Sequence, residues 1–286
     1  MHTRLFRWSA IALLASLPVV TGSAQQTAAQ LYAVVTYYKV LPGQGAAYEA
    51  YVKTTSKKFY QELGNVSPNL AHWSVARVMY KGIEGQDIDY VSAVVTAGPP
   101  PEPGANLDAI YAKLGTTQAE QAKTLSGMRT SVGSEVLRRI AGTSATGAGV
   151  YKEGDIRVSN LIRIKPGMAS QFADRAVTAT QPTMQEAVAQ GDLKAWSMWT
   201  RVFPSGAATS YDAMGVTTYK DLAGAIGGGS NPNRGAELFM KANAGKSYAT
   251  YVVNGTEYSE SQRRIVTQLI ALVERVAPAG KTSDNK

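Results

Sequence analysis

The chain contains no cysteine. No disulfide braces it, and no thiolate serves it as nucleophile or metal ligand. Histidine is almost missing too, with His2 and His72 alone in 286 residues. Zinc sites built on several imidazoles and thiolates are excluded, which leaves carboxylate-dominated sites, and no metal is expected. No Gly-x-Ser-x-Gly nucleophile elbow occurs. Gly227-Gly228-Gly229-Ser230 lacks the Gly-Lys-Ser/Thr ending of a phosphate loop and reads as a flexible loop. The 29 lysines and arginines form no polybasic run, which argues against a nucleic-acid partner. Past the N-terminus no apolar stretch is long enough to cross a bilayer, so no integral membrane segment is expected in the mature chain.

What is present starts with an export signal. Arg4 and Arg7 precede an apolar run of about 13 residues, Trp8 to Val20, too short to span a membrane. Thr21-Gly22-Ser23-Ala24 supplies small residues for cleavage, so residues 1–24 read as a signal peptide and the mature protein as periplasmic or secreted. No cysteine follows the run to carry a lipid anchor. The formal charge of +8 becomes +6 without Arg4 and Arg7, which suits an anionic ligand or surface.

An internal repeat organises the rest. Tyr38-Lys39-Val40-Leu41-Pro42-Gly43 recurs as Ile162-Arg163-Ile164-Lys165-Pro166-Gly167, and five residues beyond each glycine stands an aromatic, Tyr48 or Phe172. Leu70-Ala71-His72-Trp73-Ser74 matches Leu193-Lys194-Ala195-Trp196-Ser197. Tyr111-Ala112-Lys113 matches Phe239-Met240-Lys241, and Arg138-Arg139-Ile140 matches Arg263-Arg264-Ile265. The order is kept and the offsets stay between 123 and 128 residues. The copies span 25–141 and 155–278, with a Gly/Ser/Thr/Ala-rich linker at 142–154 and a tail at 279–286.

Each copy reads strand, helix, strand, strand, helix, strand. Ile156, Val158, Ile162 and Ile164 alternate with Arg157, Ser159 and Arg163, a period of two. Tyr48, Tyr51, Val52, Thr55 and Phe59 share one helical face. Pro182 is expected to break or kink the corresponding helix of the second copy. Trp73 to Met79 and Tyr90 to Thr96 read as a hairpin around Gly82 to Gly85; Trp196 to Phe203 and Tyr211 to Thr217 repeat it. The second helices are expected at Leu107 to Met128, interrupted at Gly115, and at Arg234 to Val253. Short strands close the copies near Val136 to Ile140 and Gln262 to Leu272, and the last segment also fits a helix.

The βαββαβ order is the ferredoxin-like unit. With the basic-apolar-x-Pro-Gly strand end and the following aromatic, the chain resembles the dimeric α/β-barrel superfamily, which includes antibiotic-biosynthesis-type monooxygenases and NIPSNAP-like and EthD-like domains. The resemblance covers nearly the whole mature chain, once per copy. It implies an α+β fold in which two tandem ferredoxin-like units form an intramolecular pseudo-dimeric barrel with helices outside. A sheet covered by helices on one face must bury the other. Val40 and Ile164 should face the helices. Val35, Tyr37, Lys39, Ser159, Leu161 and Arg163 should face the partner sheet, a mixed surface that suits a cavity.

Candidate ligand-binding residues are Tyr37, Lys39, Leu161 and Arg163 on the first strands, and Trp73, Tyr90, Trp196 and Tyr211 as aromatic platforms. Arg138, Arg139, Arg263 and Arg264 join them, since one arginine of each pair should point inward and could clamp an anion. No catalytic residue is assigned. Relatives suggest two alternatives to plain binding of a small aromatic or anionic molecule. One is a cofactor-independent oxygenase, for which Asn69, Trp73 and Tyr90 are of fitting types. The other is haem handling through His72, although no cofactor is expected. The partner is expected to be a small molecule, with further oligomerisation open.

Overall fold

The computed structural model describes residues 30–80, 88–100, 107–144, 150–206, 209–227, 231 and 233–274. The expected export signal, the expected turn at Gly82 to Gly85, most of the Gly-rich stretch and the C-terminal tail lie outside them.

The first copy opens with β1 (Leu31–Val40) and the second with β5 (Ile156–Ile164). A Pro-Gly turn ends each, with Gly43 at φ 76° and Gly167 at φ 79°, a left-handed conformation that a β-carbon would strain. The chain then enters a helix whose first turn buries the repeated aromatic, Tyr48 at 2% exposure and Phe172 at 3%. These helices are α1 (Gly45–Tyr51) with α2 (Lys57–Val66), and α5 (Ala169–Arg175) with α6 (Gln181–Ala189). Between the halves lies one π-helical turn, Val52–Ser56 or Ala176–Thr180. Pro182 therefore does not break the helix. It stands in the first turn of α6, just after the π turn has interrupted the ladder, so little is lost with its missing N–H. The same π turn without a proline in the first copy shows that the fold, not Pro182, sets the irregularity.

The strands β2 (Leu70–Tyr80) and β3 (Tyr90–Ala97), and β6 (Ala195–Phe203) and β7 (Ala213–Tyr219), follow. In the first copy α3 (Asp108–Lys113) stops before Gly115, and a capping box of Thr117 and Glu120 starts α4 (Gln118–Ser126). In the second, α7 (Leu222–Gly227) precedes α8 (Arg234–Ala242) and α9 (Tyr248–Tyr258). The single helix expected from Arg234 to Val253 is thus two. Buried Asn243 makes the break: its side-chain amide donates to the carbonyls of Ala179 and Phe239 and to Thr183 Oγ1.

The closing strands exceed expectation. β4 (Arg129–Ser144) and β8 (Ser259–Glu274) each run 16 residues. Residues 142–144, read as the start of the linker, stay in the strand because they pair with Ser197, Trp196 and Ala195 of β6. The ambiguous last segment is a strand.

Eight antiparallel strands close into a barrel in the order β1-β3-β2-β8-β5-β7-β6-β4. Each copy contributes a ferredoxin-like sheet, and the seams are β2–β8 and β4–β6. The strand registers place both Pro-Gly turns at one end of the barrel and the inter-copy linker at the other. Outside, Tyr48, Val52, Trp73, Val75 and Tyr90 form one core together with Ile270 and Ala271 of β8. Phe172, Ala176, Trp196, Met198 and Leu238 form the other with Ala141 of β4. Each copy's helices thus cover the end of the other copy's last strand, and neither sheet is complete alone.

Candidate functional site

Inside the barrel, inward residues of all eight strands enclose a cavity of about 950 Å³. Its walls differ. On β1 and β3 they are Leu31, Ala33, Val35, Val91, Ala93 and Val95, with Tyr37 at one end, and β4 adds Leu137, Arg139, Thr143 and Ser144. On β2, β8, β5 and β7 they carry His72, Ser74, Thr267, Glu274, Arg157, Ser159 and Thr218. Trp199 and Met214 lie between, and the Trp199 indole N–H donates to Ser197 Oγ at 2.8 Å.

The polar wall centres on Arg157. Its guanidinium donates to Ser74 Oγ at 2.9 Å and approaches His72 Nε2 at 3.2 Å, with the Tyr151 ring 5.3 Å from its centre. Arginine can only donate, so His72 Nε2 accepts and its proton is on Nδ1. That Nδ1 is buried with no hydrogen-bond partner. Burial, helped by the neighbouring Arg157 charge, pushes the His72 pKa down to about 3. Burial also lowers the pKa of Arg157 and of Arg139, which lies on the same cavity. Burial raises that of Glu274, the one carboxylate among the described lining residues. Asp155, fully buried beside this wall, is committed to Lys194 at 2.8 Å.

A second polar cluster closes the barrel toward the Pro-Gly end. The Glu135 carboxylate accepts from the Tyr37 and Tyr211 hydroxyls and lies 3.2 Å from Arg201 Nε. Arg201 stacks 3.6 Å over the Tyr211 ring. Burial, foremost, pushes both tyrosine pKa values up. Nearby Arg163 pairs with Asp212 at 3.3 Å and donates to the Thr209 carbonyl.

The residues expected at the site therefore divide. Tyr37 and Arg139 line the cavity, Leu161 and Tyr211 pack in the inner core beneath it, and Arg163 lies at the Pro-Gly end. Lys39 is exposed at its strand end. Trp73 is buried in the outer core, stacked on Tyr60 at 4.5 Å, and Tyr90 packs there edge-on to Tyr48 and donates to Glu49. With Asn69 exposed, the three residues whose types fit an oxygenase do not converge on the cavity. Trp196 belongs mainly to the outer core and only borders the cavity.

The arginine pairs are not structurally equivalent. Val40 pairs with Arg129 and its counterpart Ile164 with Ser259, so the last strands correspond at an offset of 130. Arg138 and Arg139 then match Gln268 and Leu269, while Arg263 and Arg264 match Gly133 and Ser134. Arg138 and Arg264 are exposed, and Arg263 points inward beyond the cavity, opposite Leu161. Among the four, Arg139 alone reaches the cavity.

Sequence reasoning passed over Arg157, Ser74, Glu135 and Arg201. The signal for Arg157 was there: extending the inward alternation of Arg163, Leu161 and Ser159 by one step reaches it. Glu135 and Arg201 face inward only by registers that bulges shift.

A haem iron would need the His72 lone pair. That lone pair is held by Arg157 and the imidazole is a weak base, so these residues do not fit haem. Among the described residues no three of His, Asp and Glu gather as for a metal ion.

No protein-family model and no curated protein matches the sequence. Solved structures do match. A provisionally assigned monooxygenase from Fusobacterium nucleatum aligns over 87% of this chain and 96% of its own, at 11% identity and TM-score 0.53. Another from Lactobacillus acidophilus aligns over 86% and 96%, at 9% identity and TM-score 0.51. A provisionally assigned chlorite dismutase aligns over 85% and 95%, at 13% identity and TM-score 0.45. At such identities the likeness concerns the fold, which, with the strand order above, is the dimeric α/β barrel of ferredoxin-like units, closed within one chain.

Proposed function

We propose that the protein, once exported, binds one small, largely apolar molecule inside the barrel. The observation that carries this reading is the cavity of about 950 Å³ with one apolar and one polar wall. Binding sites for drug-sized molecules run to roughly 300–1,000 Å³, mostly apolar with a few placed polar groups. A barrel of eight strands has room to hold one small ligand.

The test fills the cavity. Ala33 and Ala93 both face it, so Ala33→Phe or Ala93→Phe should occupy the space without opening the wall. A neutral fluorescent probe, N-phenyl-1-naphthylamine, should bind the mature protein and lose its binding in the filled variants, while melting stays near that of the wild type. Equal binding by wild-type and filled proteins would place the probe elsewhere and refute the reading.

One observation favours a second reading, an oxygenase-like activity without a cofactor. Glu274 lines the cavity and burial raises its carboxyl pKa, which brings it closer to what a general base at neutral pH needs. Such an enzyme would consume oxygen with a hydroxylated aromatic substrate, and Glu274→Gln would abolish the uptake.

A further inference from the structure

The two walls narrow the ligand's chemistry. We propose, resting on the binding reading above, that the ligand carries a single carboxylate, seated on the guanidinium of Arg157, and an apolar body against β1 and β3. Two observations converge. The first is the state of Arg157. Its partners Ser74 and His72 are both neutral, and among the described residues it makes no ion pair. Two of its five N–H donors are used, and three remain. A partly buried guanidinium held this way is a planar fork matched to a carboxylate.

The second observation is the charge balance. Arg139 and Arg157 face one carboxylate, Glu274, because Asp155 is taken by Lys194. The lining therefore carries one net positive charge. That matches a monoanion and is too little for a phosphate ester, which brings nearly two negative charges. Opposite, β1 and β3 line the cavity with Leu31, Ala33, Val35, Val91, Ala93 and Val95, an apolar stretch that a small hydrophilic anion would leave unfilled.

The experiment uses the mature full-length protein and calorimetric titration with benzoate, 2-naphthoate and 1-pyrenebutyrate, each beside its methyl ester. The acids should bind more tightly than the esters by about tenfold or more, the worth of a charge-assisted hydrogen bond. In Arg157→Met that preference should vanish while ester affinity stays within a few-fold. Arg157→Lys, which keeps the charge and loses the fork, should retain part of it, and it serves if the Met variant fails to fold. Equal affinity of acid and ester for the wild type, or a preference that survives in both Arg157 variants, overturns the carboxylate site and leaves the binding compartment standing. If neither acids nor esters bind, the compartment itself falls, and this inference with it.

Discussion

His72 makes the fold sensitive to mild acid. In the unfolded chain an imidazole titrates near 6.5, and in the fold burial beside Arg157 pushes it to about 3. Between those values the unfolded chain binds a proton that the fold refuses. Stability is therefore full above pH 6.5 and falls as the pH drops toward 3. Each pH unit in that window costs about 1.4 kcal/mol, so pH 5 costs about 2 kcal/mol relative to pH 7.5. That figure does not depend on how far below 4 the folded value lies. For a domain of this size it corresponds to a drop in Tm of roughly 4–8 °C. The assay is thermal melting at pH 7.5 and pH 5 for the wild type and for His72→Gln. The glutamine carbonyl can still accept from Arg157 but does not titrate. Carboxylates with ordinary pKa values contribute equally to both proteins and cancel. The wild type should lose several degrees more than the variant between the two pH values. Identical losses would mean that His72 is not held neutral against Arg157, and the argument for its Nδ1 proton would go with it.

Three other outcomes are expected. Glu135→Leu should destabilise by about 3–5 kcal/mol in denaturant unfolding, because it leaves Arg201 buried without its counter-charge, and adding Arg201→Met should restore most of the loss. Trp73→Ala should cost about 3–5 kcal/mol of stability and leave probe binding unchanged, since Trp73 packs outside the barrel, whereas Trp199→Ala should alter probe affinity. Mass spectrometry of protein recovered from the periplasm or medium should show the first residues, about 24 of them, removed.

The repeat and the alternation of the first strands made the architecture legible, because both are local. Pro42-Gly43 and Pro166-Gly167 demand the same left-handed turn, and Tyr48 and Phe172 the same burial, wherever the copies pack. The site was less legible because it depends on the seams. Whether Arg139 or Arg138 points inward follows from the register of β4 on β6, which shifts between Arg139 and Ala141. The apparent match of Arg138-Arg139 with Arg263-Arg264 is a sequence coincidence that strand pairing places several residues apart. Trp73 and Tyr90 were drawn toward the ligand by residue type, yet they stand at the outward parity of their strands, where the helices claim them.

The duplication also explains how a symmetric barrel acquires one polar wall. In a barrel of two identical chains every inward residue appears twice, so an arginine on one first strand is opposed by its copy across the cavity. Here the position matching Arg157 is Ala33, that matching His72 is Ala195, and that matching Thr267 is Leu137. The Arg157 group sits at the β2–β8 seam, drawing His72 and Ser74 from the first copy and Arg157 from the second. The Glu135 group sits at the β4–β6 seam, with Tyr37 and Glu135 from the first copy and Arg201 and Tyr211 from the second. Two like charges facing each other across a low-dielectric space would repel strongly, and two copies of the Glu135 cluster would fill the barrel with polar groups. Fusing the copies lets each carry one half of each cluster and leave the matching position apolar. The cavity is thereby given a direction, and a ligand with one polar and one apolar end has a single way to lie in it.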